Sequence, residues 1–573
     1  MKDSIRWDRS FDVVVAGSGA SGMSAALTAH FEGLEVLIVE KAARIGGSTA
    51  VSGGAVWLPL NADAAGAGHP DSYEEVWEYL SHTVGDASPA DMKRAFLDAG
   101  PAMYDYMVSR GAIKLAARTY SPDYYSDLPG AAMGGRSLDP VEFDGRTLGA
   151  RFRELRDPLK EFLVLGGMMV NINDVYHLLG ASRSLKSFLH GGLLVLRYWT
   201  DRLRGYHRGT RLLLGNALAA QLFHSVLKHG LPYWLESPIC GIHQDGDGRV
   251  LGVAVKRQGA VINIRARKGV VVATGGFPWN ETLRSKHYPK PTGPWSMAPR
   301  DNEGQGIALA LAAGAAMGDA HVSPAFWAPV SLLERKEGGP VRYPHLVWDR
   351  AKPGLIAVDA SGKRFVNESA SYHEFVKAMY GANPASPAIP AYLICDHGFI
   401  EKWGLGLALP GGRPRRHLID AGYLIRGDSL EDLARRLNLD AAVLSETVKR
   451  YNDMAQNGED LDFGKGSTAY NRYLGAPGHL PNPCLGPVVR PPFYAVRVVA
   501  GDIGTACGVS TNEHAQALTA DGKVIPGLYV VGNDMQSVMG GAYPAPGITL
   551  GPGLTFGWIA GRHLARAASH QHQ

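Results

Sequence analysis

A glycine- and proline-rich stretch near the end of the chain contains two groups that could bind the same oxygen atom. Residues Gly532–Gly557 read GNDMQSVMGGAYPAPGITLGPGLTFG, and the phenol of Tyr543 lies four positions before the backbone amide of Gly547. A hydroxyl group and a peptide N–H that converge on one carbonyl oxygen form an oxyanion hole. Pro544 and Pro546 stiffen the turn and would hold the two donors in place. The stretch therefore predicts a site that polarises a carbonyl group.

A nucleotide fingerprint lies at the opposite end of the chain. Phe11–Ala16 (FDVVVA) reads as a buried strand, GSGASG follows at once, and a helical pattern leads to a second strand that ends at Glu40. In such a βαβ unit Gly17 permits the tight turn, Gly19 the close approach of a pyrophosphate, and Gly22 the packing of helix on strand. The pyrophosphate is expected at the helix N-terminus. Glu40 is in position to bond the ribose hydroxyls.

Three further segments favour FAD over NAD as the dinucleotide. The loop Lys41–Trp57 (KAARIGGSTAVSGGAVW) alternates glycine pairs with small hydroxyl residues and could follow an extended cofactor to a flavin ring. A second buried strand, Gly269–Phe277, ends in a glycine turn that would return the chain to the cofactor, and Asn533 begins a third contact. Because NAD-binding folds do not need such a loop, we expect FAD.

Length and composition limit the class of protein. A chain of 573 residues suggests two or three domains, the hydrophobic content of 45% supports a large core, and a net charge of +4 gives no sign of nucleic-acid binding. The first ten residues lack the apolar run of a secretion signal, and no apolar run approaches the roughly 20 residues that span a bilayer. We therefore expect a cytoplasmic protein with no metal and with reduced cysteines, none of which forms a CxxC pair: Cys240, Cys395, Cys484 and Cys507.

The motifs together resemble a known group of flavoproteins. GSGASG, EKAARIGGSTAVSGG, VVVATGGF, GKRFVNES and GLYVVGN, in this order, look like the flavoprotein superfamily of fumarate reductase and succinate dehydrogenase over nearly the whole chain. Four local motifs are most similar to the 3-ketosteroid Δ1-dehydrogenases: SGGAVWLPLN (Ser52–Asn61), PDYYSDLPG (Pro122–Gly130), NESASYHEF (Asn367–Phe375) and SVMGGAYPAPGITLGP (Ser537–Pro552).

This resemblance implies an α/β fold in which both chain ends build a Rossmann-like FAD-binding domain and a smaller α+β catalytic domain is inserted between them. We expect the first part of the FAD domain at residues 1–290, the catalytic domain at 291–488 and the second part of the FAD domain at 489–573. The glycine-bearing motifs agree with this division, because they stop near Phe277 and resume near Pro491.

The resemblance also implies the roles of the chemical groups. Tyr543 and Gly547 match the pair that binds the ketone oxygen, and Tyr372 matches the base that takes the α-proton while the flavin accepts hydride. One tyrosine of the PDYY motif assists Tyr372, but Tyr124 and Tyr125 both remain candidates because adjacent residues of an extended strand point in different directions. A free phenol has a pKa of about 10, so a relay partner or a positive neighbourhood must lower the cost of a tyrosinate.

The implied FAD contacts follow the glycine-rich segments: Gly17, Gly19, Ala20, Ser21, Gly22, Glu40, Lys41, Gly47, Ser48, Thr49, Ser52, Gly53, Gly54, Ile239, Thr274, Gly275, Gly532, Asn533, Gly547, Thr549 and Leu550. Four aromatic residues are candidate walls for a flat apolar substrate: Trp57, Phe326, Trp327 and Phe493. His373 neighbours the expected base, and we interpret it as a bystander. Two positions depart from the family pattern, Gln305 in place of an acidic residue and Pro546 before the carbonyl-binding glycine, and both bear on which ketone is bound.

The residues from about 151 to 211 depart furthest from the family pattern. Apolar blocks alternate there with cations, acidic residues are scarce, and the cations are Arg183, Lys186, Arg197, Arg202, Arg204, Arg208 and Arg211. A basic amphipathic segment that contains aromatic residues, here Tyr198 and Trp199, is typical of a membrane surface. The hypothesis is peripheral attachment to the inner face of the cell membrane, and the alternative is a helical insertion with a solvated basic face.

The expected activity is FAD-dependent 1,2-dehydrogenation of a 3-ketosteroid, with a quinone as a candidate external electron acceptor. A ketosteroid Δ4(5α)-dehydrogenase is the related alternative. A fumarate-like enoate reductase needs cations to hold two carboxylates, and the GNDMQSVMGGAYPAPG stretch contains none. A non-catalytic electron-transfer flavoprotein would have no use for Tyr372 and Tyr543 together. The oligomeric state and any covalent flavin attachment are not predicted.

Overall fold

The structure is a computed structural model that describes residues 5–160, 163–182, 184–319, 321–335, 337–382 and 388–566. Its strands are β1 Arg9–Ala16, β2 Val36–Val39, β3 Val56–Trp57, β4 Leu115–Ala117, β5 Ser137–Pro140, β6 Phe143–Asp144, β7 Leu163–Val164, β8 Met168–Met169, β9 Arg211–Leu212, β10 Tyr233–Trp234, β11 Ile239–Gln244, β12 Val250–Arg257, β13 Ala260–Val272, β14 Ala325–Leu333, β15 Val341–Pro344, β16 Leu355–Val358, β17 Ala391–Cys395, β18 Leu424–Gly427, β19 Phe493–Thr505, β20 Gln516–Leu518 and β21 Val524–Val530.

Its helices are α1 Ala20–Phe31, α2 Tyr73–Thr83, α3 Ala90–Ser109, α4 Ile172–Leu179, α5 Leu185–Leu203, α6 Leu214–Lys228, α7 Glu281–His287, α8 Gln305–Ala312, α9 Tyr372–Gly381, α10 His397–Lys402, α11 Arg416–Asp420, α12 Leu430–Leu437, α13 Ala441–Asn457, α14 Ala469–Leu474 and α15 Leu550–Arg566.

The larger sheet contains the predicted nucleotide fold. Its order is β10-β2-β1-β13-β12-β11. In addition, β21 pairs with β13, and β20 pairs with β21. Strand β1 runs parallel to β2 and to β13, which in turn runs parallel to β21. The β-branched residues of β1 are fully buried, as a parallel sheet covered on both faces requires. All four strands end at the same edge, where an open α/β sheet binds its ligand.

The two ends of the chain meet on this sheet. Helix α15, near the C-terminus, packs along α1, which follows β1 directly. The contact is close because α15 presents glycines to α1, and a Cβ atom at Gly557 would lie 2.4 Å from the carbonyl oxygen of Ser21. This arrangement confirms the expected Rossmann-like fold with contributions from both chain ends.

The smaller sheet is antiparallel and has the order β15-β14-β19-β17-β16, with β18 also on β19. Helix α9 packs on β14, and α12 and α13 cover a second apolar core that includes Ile356, Ile394 and Leu433. Strand β19 belongs to this sheet although residues 489–573 were expected in the FAD domain, because its apolar residues pair with β14 and β17. The domain boundaries at 290/291 and 488/489 stay predictions.

The insertion folds as a small β-hairpin, β7–β8, followed by the helix pair α4–α5. Helix α4 begins at Asn171, whose side chain accepts from the backbone N–H of Asp174 while the Asp174 carboxylate accepts from the N–H of Asn171, a capping box. Helices α4 and α5 pack on each other. No helix in the described part of the chain is both long and apolar enough to cross a membrane.

Candidate active site

One large cavity joins the predicted cofactor segments to the predicted catalytic residues. Its volume is about 1730 Å³, and it begins at the glycine turn after β1. It passes Tyr372, Tyr543 and Gly547 and continues to α4, α5 and the loops at residues 346–348 and 409–413. Residues remote in sequence therefore surround one continuous space.

The cofactor end of the cavity contains almost all the residues predicted to bind FAD. The lining includes Gly17, Gly19, Ala20, Ser21, Glu40, Lys41, Gly47, Ser48, Thr49, Ser52, Gly53, Gly54, Ile239, Thr274, Gly275, Gly532, Asn533, Gly547, Thr549 and Leu550. Gly22 lies beneath this surface, where a Cβ atom would stand 2.2 Å from the carbonyl oxygen of Gly17, in agreement with the packing role given to it. The individual cofactor contacts stay predictions.

The local geometry of this end fits a dinucleotide. Gly19 has no side chain to cap α1, and the N–H of Ala20 donates to Thr49 Oγ1 (2.9 Å). Within the described part of the chain, the next first-turn N–H groups, those of Ser21 and Gly22, are left for an anion such as a pyrophosphate. Gly17 adopts φ +112°, and a Cβ atom there would lie 2.0 Å from the carbonyl oxygen of Ala273. The Glu40 carboxylate accepts from Ser18 N–H and Oγ–H (3.0 and 2.5 Å) and from Ala42 N–H (2.8 Å), which fixes it at the edge of the cavity.

Two side chains that the sequence did not identify hold the cofactor segments together. The buried Asp534 carboxylate accepts from the N–H of Gly276 (2.9 Å) and from the N–H and hydroxyl of Thr274. The Asn302 amide donates to Ser48 Oγ (2.8 Å) and to the carbonyl oxygen of Gly275 (3.1 Å). Both residues lie beside predicted motif positions, but Asp534 and Thr274 are 260 residues apart in the chain, and Asn302 and Ser48 are 254 residues apart.

Tyrosines from four parts of the chain meet in the cavity. The Tyr124 hydroxyl donates a hydrogen bond to the Tyr372 hydroxyl (2.9 Å). The ring of Tyr543 stacks on Tyr124 at 5.5 Å between centroids and meets Tyr372 edge-on at 5.2 Å. Tyr470, which the sequence did not identify, packs 4.6 Å from Tyr124 and also lines the cavity. These four buried phenols form a single cluster, which we call the tyrosine cluster.

Local hydrogen bonds hold Tyr372 and Tyr124 in position. Tyr372 is the first residue of α9, whose N-cap Ser371 accepts from the N–H of Glu374 (3.2 Å). The buried Arg350 guanidinium donates to the carbonyl oxygens of Glu368 and Ala370, just before this helix. Beside Tyr124, the carboxylate of Asp123 accepts from Arg136 (2.8 Å) and from the indole of Trp57 (3.2 Å).

The turn that bears Tyr543 and Gly547 is also fastened. The carbonyl oxygen of Pro544 accepts from the Tyr124 N–H (2.8 Å) and the Tyr79 hydroxyl (2.6 Å), and that of Pro546 accepts from Ser137 Oγ (2.9 Å). Gly547 adopts φ +103°, and a Cβ atom there would lie 2.5 Å from the backbone nitrogen of Trp57. The two candidate carbonyl donors are therefore preorganised by the N-terminal part of the chain.

The structure separates the two PDYY tyrosines. The Tyr125 hydroxyl donates to the Glu374 carboxylate (2.7 Å), and Tyr125 does not line the cavity. Tyr124 faces Tyr372 instead. Of the two candidates left open by the sequence, only Tyr124 is in reach of the expected base, because the two side chains leave the backbone in different directions.

Burial dominates the electrostatics of the cluster. It raises the pKa of Tyr372 and Tyr124 well above that of a free phenol, and it raises the pKa of Tyr543 to about 12. The cluster is therefore fully protonated at neutral pH before substrate enters. Burial lowers the pKa of His373 to about 3, and its Nδ1 accepts from the N–H of Trp327 (3.2 Å), so this histidine is neutral and its Nδ1 is already engaged.

The four aromatic residues expected as substrate walls do not line the cavity, which corrects that prediction. Trp57 is fully buried against Phe96, and Phe326 packs edge-on against the ring of Tyr543. Trp327 and Phe493 lie within the core. Large aromatic side chains belong to the core more often than to a pocket. These four lie in the core next to the site and do not reach the cavity.

Aliphatic side chains form the far end of the cavity instead. They come from the insertion and from two loops of the smaller domain, and they include Met168, Val175, Leu178, Val195, Val347 and Leu409. Apolar blocks in residues 151–211 were the visible signal, but their periodicity could not tell cavity lining from ordinary core.

The basic face expected on the insertion is reduced in its described residues, where Lys186, Arg202 and Arg204 stay exposed but other cations are paired or buried. Arg197 pairs with Glu142 (2.9 Å), and Arg211 pairs with Glu142 and with Asp174. Arg208 is buried beside Asp157, Arg202 donates to the backbone carbonyls of residues 206 and 207, and Arg183 lies outside the described residues. The exposed feature is an apolar stripe on α5, formed by Leu185, Phe188, Leu189, Leu193, Leu196, Trp199 and Leu203.

Known proteins resemble this chain over nearly its full length. A family model described as FAD binding domain matches residues 12–550. The chain is 39% identical over 565 residues to the 4-oxocyclohex-2-ene-1-carboxylate 5-dehydrogenase of Sinomonas cyclohexanicum, which covers 97% of this chain and 94% of that protein. It is 38% identical over 571 residues to the 3-oxosteroid 1-dehydrogenase of Mycolicibacterium smegmatis, with 98% of each covered.

A solved structure matches the fold as a whole. It is the 3-ketosteroid Δ1-dehydrogenase from Sterolibacterium denitrificans in complex with 1,4-androstadiene-3,17-dione. The TM-score is 0.90 at 38% identity, over 98% of this chain and 100% of that chain.

Proposed function

The chain belongs to the FAD binding domain family and takes FAD as its cofactor, and on this premise we propose that it is a dehydrogenase that introduces a C1–C2 double bond into 3-ketosteroids. One observation carries the proposal. Tyr372, Tyr124, Tyr543 and Gly547 meet where the cofactor end of the cavity opens into a long apolar space. Relatives that are 38% identical and named for this activity support it.

The ketone would be held by the hydroxyl of Tyr543 and the N–H of Gly547. Both residues lie on a fastened turn, so little reorganisation is needed when negative charge develops on the ketone oxygen. Removal of one such donor typically costs about 2.7–4 kcal/mol of transition-state stabilisation. The aliphatic far end of the cavity would hold the remaining rings.

Tyr372 would take the proton from C2. Because burial keeps this phenol protonated, its own proton must leave first. The Tyr124 hydroxyl at 2.9 Å would relay it, and would release its own proton toward solvent as it takes up that of Tyr372. When bound, FAD supplies the acceptor for the hydride that leaves C1. The substrate thus loses one proton and one hydride, and the electron pair of the broken C2–H bond forms the new double bond.

The test uses purified holoenzyme, 4-androstene-3,17-dione and an artificial electron acceptor. We expect the 1,4-diene as product, and we expect Tyr372→Phe to reduce kcat by about 10²–10⁴-fold with normal flavin content, because a general base is lost. Tyr125→Phe is the matched control, since its hydroxyl bonds Glu374 instead. Near-normal turnover by Tyr372→Phe would remove this residue as the base.

A one-ring keto acid is the second candidate substrate, favoured by the 39% identity to a dehydrogenase of 4-oxocyclohex-2-ene-1-carboxylate. A carboxylate held one ring away from the ketone would need a nearby cation. Arg118, on the cavity wall, is engaged by both oxygens of Asp139 at 2.7 and 2.9 Å. Because Arg118 is already paired, the cavity wall favours the steroid, and kcat/KM measured on both substrates decides between them.

We further propose that the enzyme attaches to a membrane through α5 and passes electrons to a quinone. The apolar stripe is strongly exposed, with Leu185 at 75% and Leu203 at 86% of full accessibility. At 100° per residue, Lys186 and Arg204 lie along one border of the stripe and Arg202 along the other. Such a helix suits the interface plane of a bilayer, where steroids and quinones also dissolve.

Insertion of apolar side chains, rather than charge, would then drive the attachment. We expect co-sedimentation with neutral as well as anionic vesicles, and retention at high salt. Leu193→Glu/Leu196→Glu should abolish it, whereas Leu480→Glu, at an exposed leucine outside α5, should not. Equal sedimentation of the α5 variant and the wild type would refute attachment through α5. Reoxidation of the reduced enzyme by a soluble quinone analogue tests the acceptor.

A further inference from the structure

A short loop at the far end of the cavity is firmly anchored and bears a cation, Arg413, that no residue in the described part of the chain engages. Leu409, Pro410 and Arg413 of this loop line the cavity, as do Trp348 and Tyr473. The loop is fastened to α10, because the N–H of Gly411 donates to the carbonyl oxygen of Glu401 (2.8 Å) and Arg415 pairs with the carboxylate of Glu401. The backbone that bears Arg413 is thus held in place from both sides.

The two neighbouring cations have acidic partners and Arg413 does not. Arg415 is paired with Glu401, and Arg416 faces Asp420 at 3.6 Å. Arg413 is exposed and has no ion pair or hydrogen bond with any residue in the described ranges. Its guanidinium is therefore available to a molecule that occupies the cavity.

The other charged residues of the cavity wall are paired with one another or hydrogen-bonded, so they do not neutralise Arg413. Among the described lining residues, Lys41 pairs with Glu303, Arg156 with Asp301 and Arg118 with Asp139. The remaining lining acid, Glu40, is bonded at the cofactor end by Ser18 and Ala42. The described lining consequently carries one uncompensated positive charge, that of Arg413.

We propose that Arg413 binds an anionic group, of the carboxylate or sulfate type, at the end of the substrate opposite the ketone. This rests on the proposed function and narrows it to ring ketones with an apolar body and an acidic tail. A guanidinium suits a carboxylate or sulfate because its N–H groups match the oxygens in pairs. At an exposed position the contact is modest and is screened by salt.

The experiment compares a 3-keto-4-ene steroid that carries a carboxylate on its D-ring side chain with the methyl ester of the same compound. The wild-type holoenzyme should prefer the acid in kcat/KM by about two- to fivefold at low salt, and the preference should shrink as salt rises. Arg413→Gln should remove the preference through KM, and Arg413→Glu should reverse it. Arg416→Gln, three residues away and outside the cavity lining, is the matched control and should behave as wild type.

Equilibrium binding of the acid and the ester, followed by the flavin absorbance, accompanies the kinetics. An unchanged acid-to-ester ratio in Arg413→Gln, by either measurement, would overturn the assignment. An Arg413→Gln variant with an unchanged ratio but weaker vesicle sedimentation would assign this residue to lipid headgroups instead. Failure of the wild type to oxidise either compound would contradict the proposed function. The acid-to-ester ratio in equilibrium binding would still test the role of Arg413.

Discussion

The two ends of the cavity are lined by different kinds of residue. At the cofactor end, backbone and small residues form the wall, and buried hydrogen bonds through Asp534 and Asn302 hold the segments together. At the far end, aliphatic side chains from the insertion and from two loops form the wall, and several of them, such as Leu409 and Val347, are exposed. A cofactor common to many enzymes requires close approach of backbone, whereas a substrate is selected by the shape of side chains.

The tyrosine cluster lies between these two ends and belongs to neither. Tyr124 comes from the N-terminal part, Tyr372 from the start of α9 on the smaller sheet, and Tyr543 from the C-terminal turn. The proposed chemistry would therefore depend on how the elements around the two large sheets meet, and three substitutions or conditions test the contrast between the two cavity ends.

The largest effect is expected at the cofactor end, from Gly17→Ala. Position 17 has φ +112°, and a Cβ atom would lie 2.0 Å from the carbonyl oxygen of Ala273, so neither the backbone nor the neighbouring strand can accept it. Backbone strain alone costs about 1–3 kcal/mol. We expect complete loss of bound flavin, measured by absorbance after gel filtration.

Gly33→Ala is the matched control for this prediction. Its φ is +89°, and a Cβ atom there would meet no atom within 4 Å. The Gly33→Ala variant has the same kind of backbone strain as Gly17→Ala but no steric clash. It should keep its flavin and lose some thermal stability. Flavin retention by Gly17→Ala would contradict the view that the cofactor end of the cavity depends on close approach of the backbone.

The second prediction concerns the tyrosine cluster and pH. Because burial raises the pKa of Tyr372 above 10, the reactive phenolate is a minor species at neutral pH. Its fraction grows with pH, so flavin reduction in single turnover should accelerate between about pH 6 and 9, by up to tenfold per unit. Tyr125→Phe should show the same profile. A rate that is flat over this range would mean that Tyr372 is not the base.

The smallest effect is expected at the far end, from Val195→Phe. This side chain lines the cavity from α5, while Leu196, the next residue on the same helix, faces solvent. The added ring should raise KM for a steroid a few-fold, about 1 kcal/mol, and leave a one-ring ketone unaffected, because only a long substrate reaches it. Leu196→Phe is the control, and equal effects of the two variants on steroid KM would show that the far end does not contact substrate.

The same contrast explains which residues could be found from sequence. Gly17, Gly19 and Gly22 were recognisable because a close approach of backbone permits few residue types at fixed spacing. The leucines and valines of the far end were not, because apolar residues of a cavity wall and of a core have the same composition and periodicity. Trp57 was misassigned for this reason and proved to support Asp123 from the core.

Charge was equally ambiguous in the insertion. Arg197 and Arg211 read as a basic face, but Glu142, which pairs with both, precedes the insertion in sequence and meets it only in the fold. The apolar residues of α5 turned out to be the exposed ones. Pairing between distant residues, which the local pattern does not contain, decided the character of this surface.

The sequence by itself determined the cofactor class, the βαβ unit and the identity of Tyr372, Tyr543 and Gly547 as candidates, because each is encoded by a local motif. The tertiary structure alone decided that Tyr124 rather than Tyr125 reaches Tyr372, and that Asp534 joins two cofactor segments. It also left Arg413, at the far end, without a partner among the residues that the structure describes. Hydrogen bonds, ion pairs and cavity walls are relations between positions hundreds of residues apart, and only the packing of the two sheets brings those positions together.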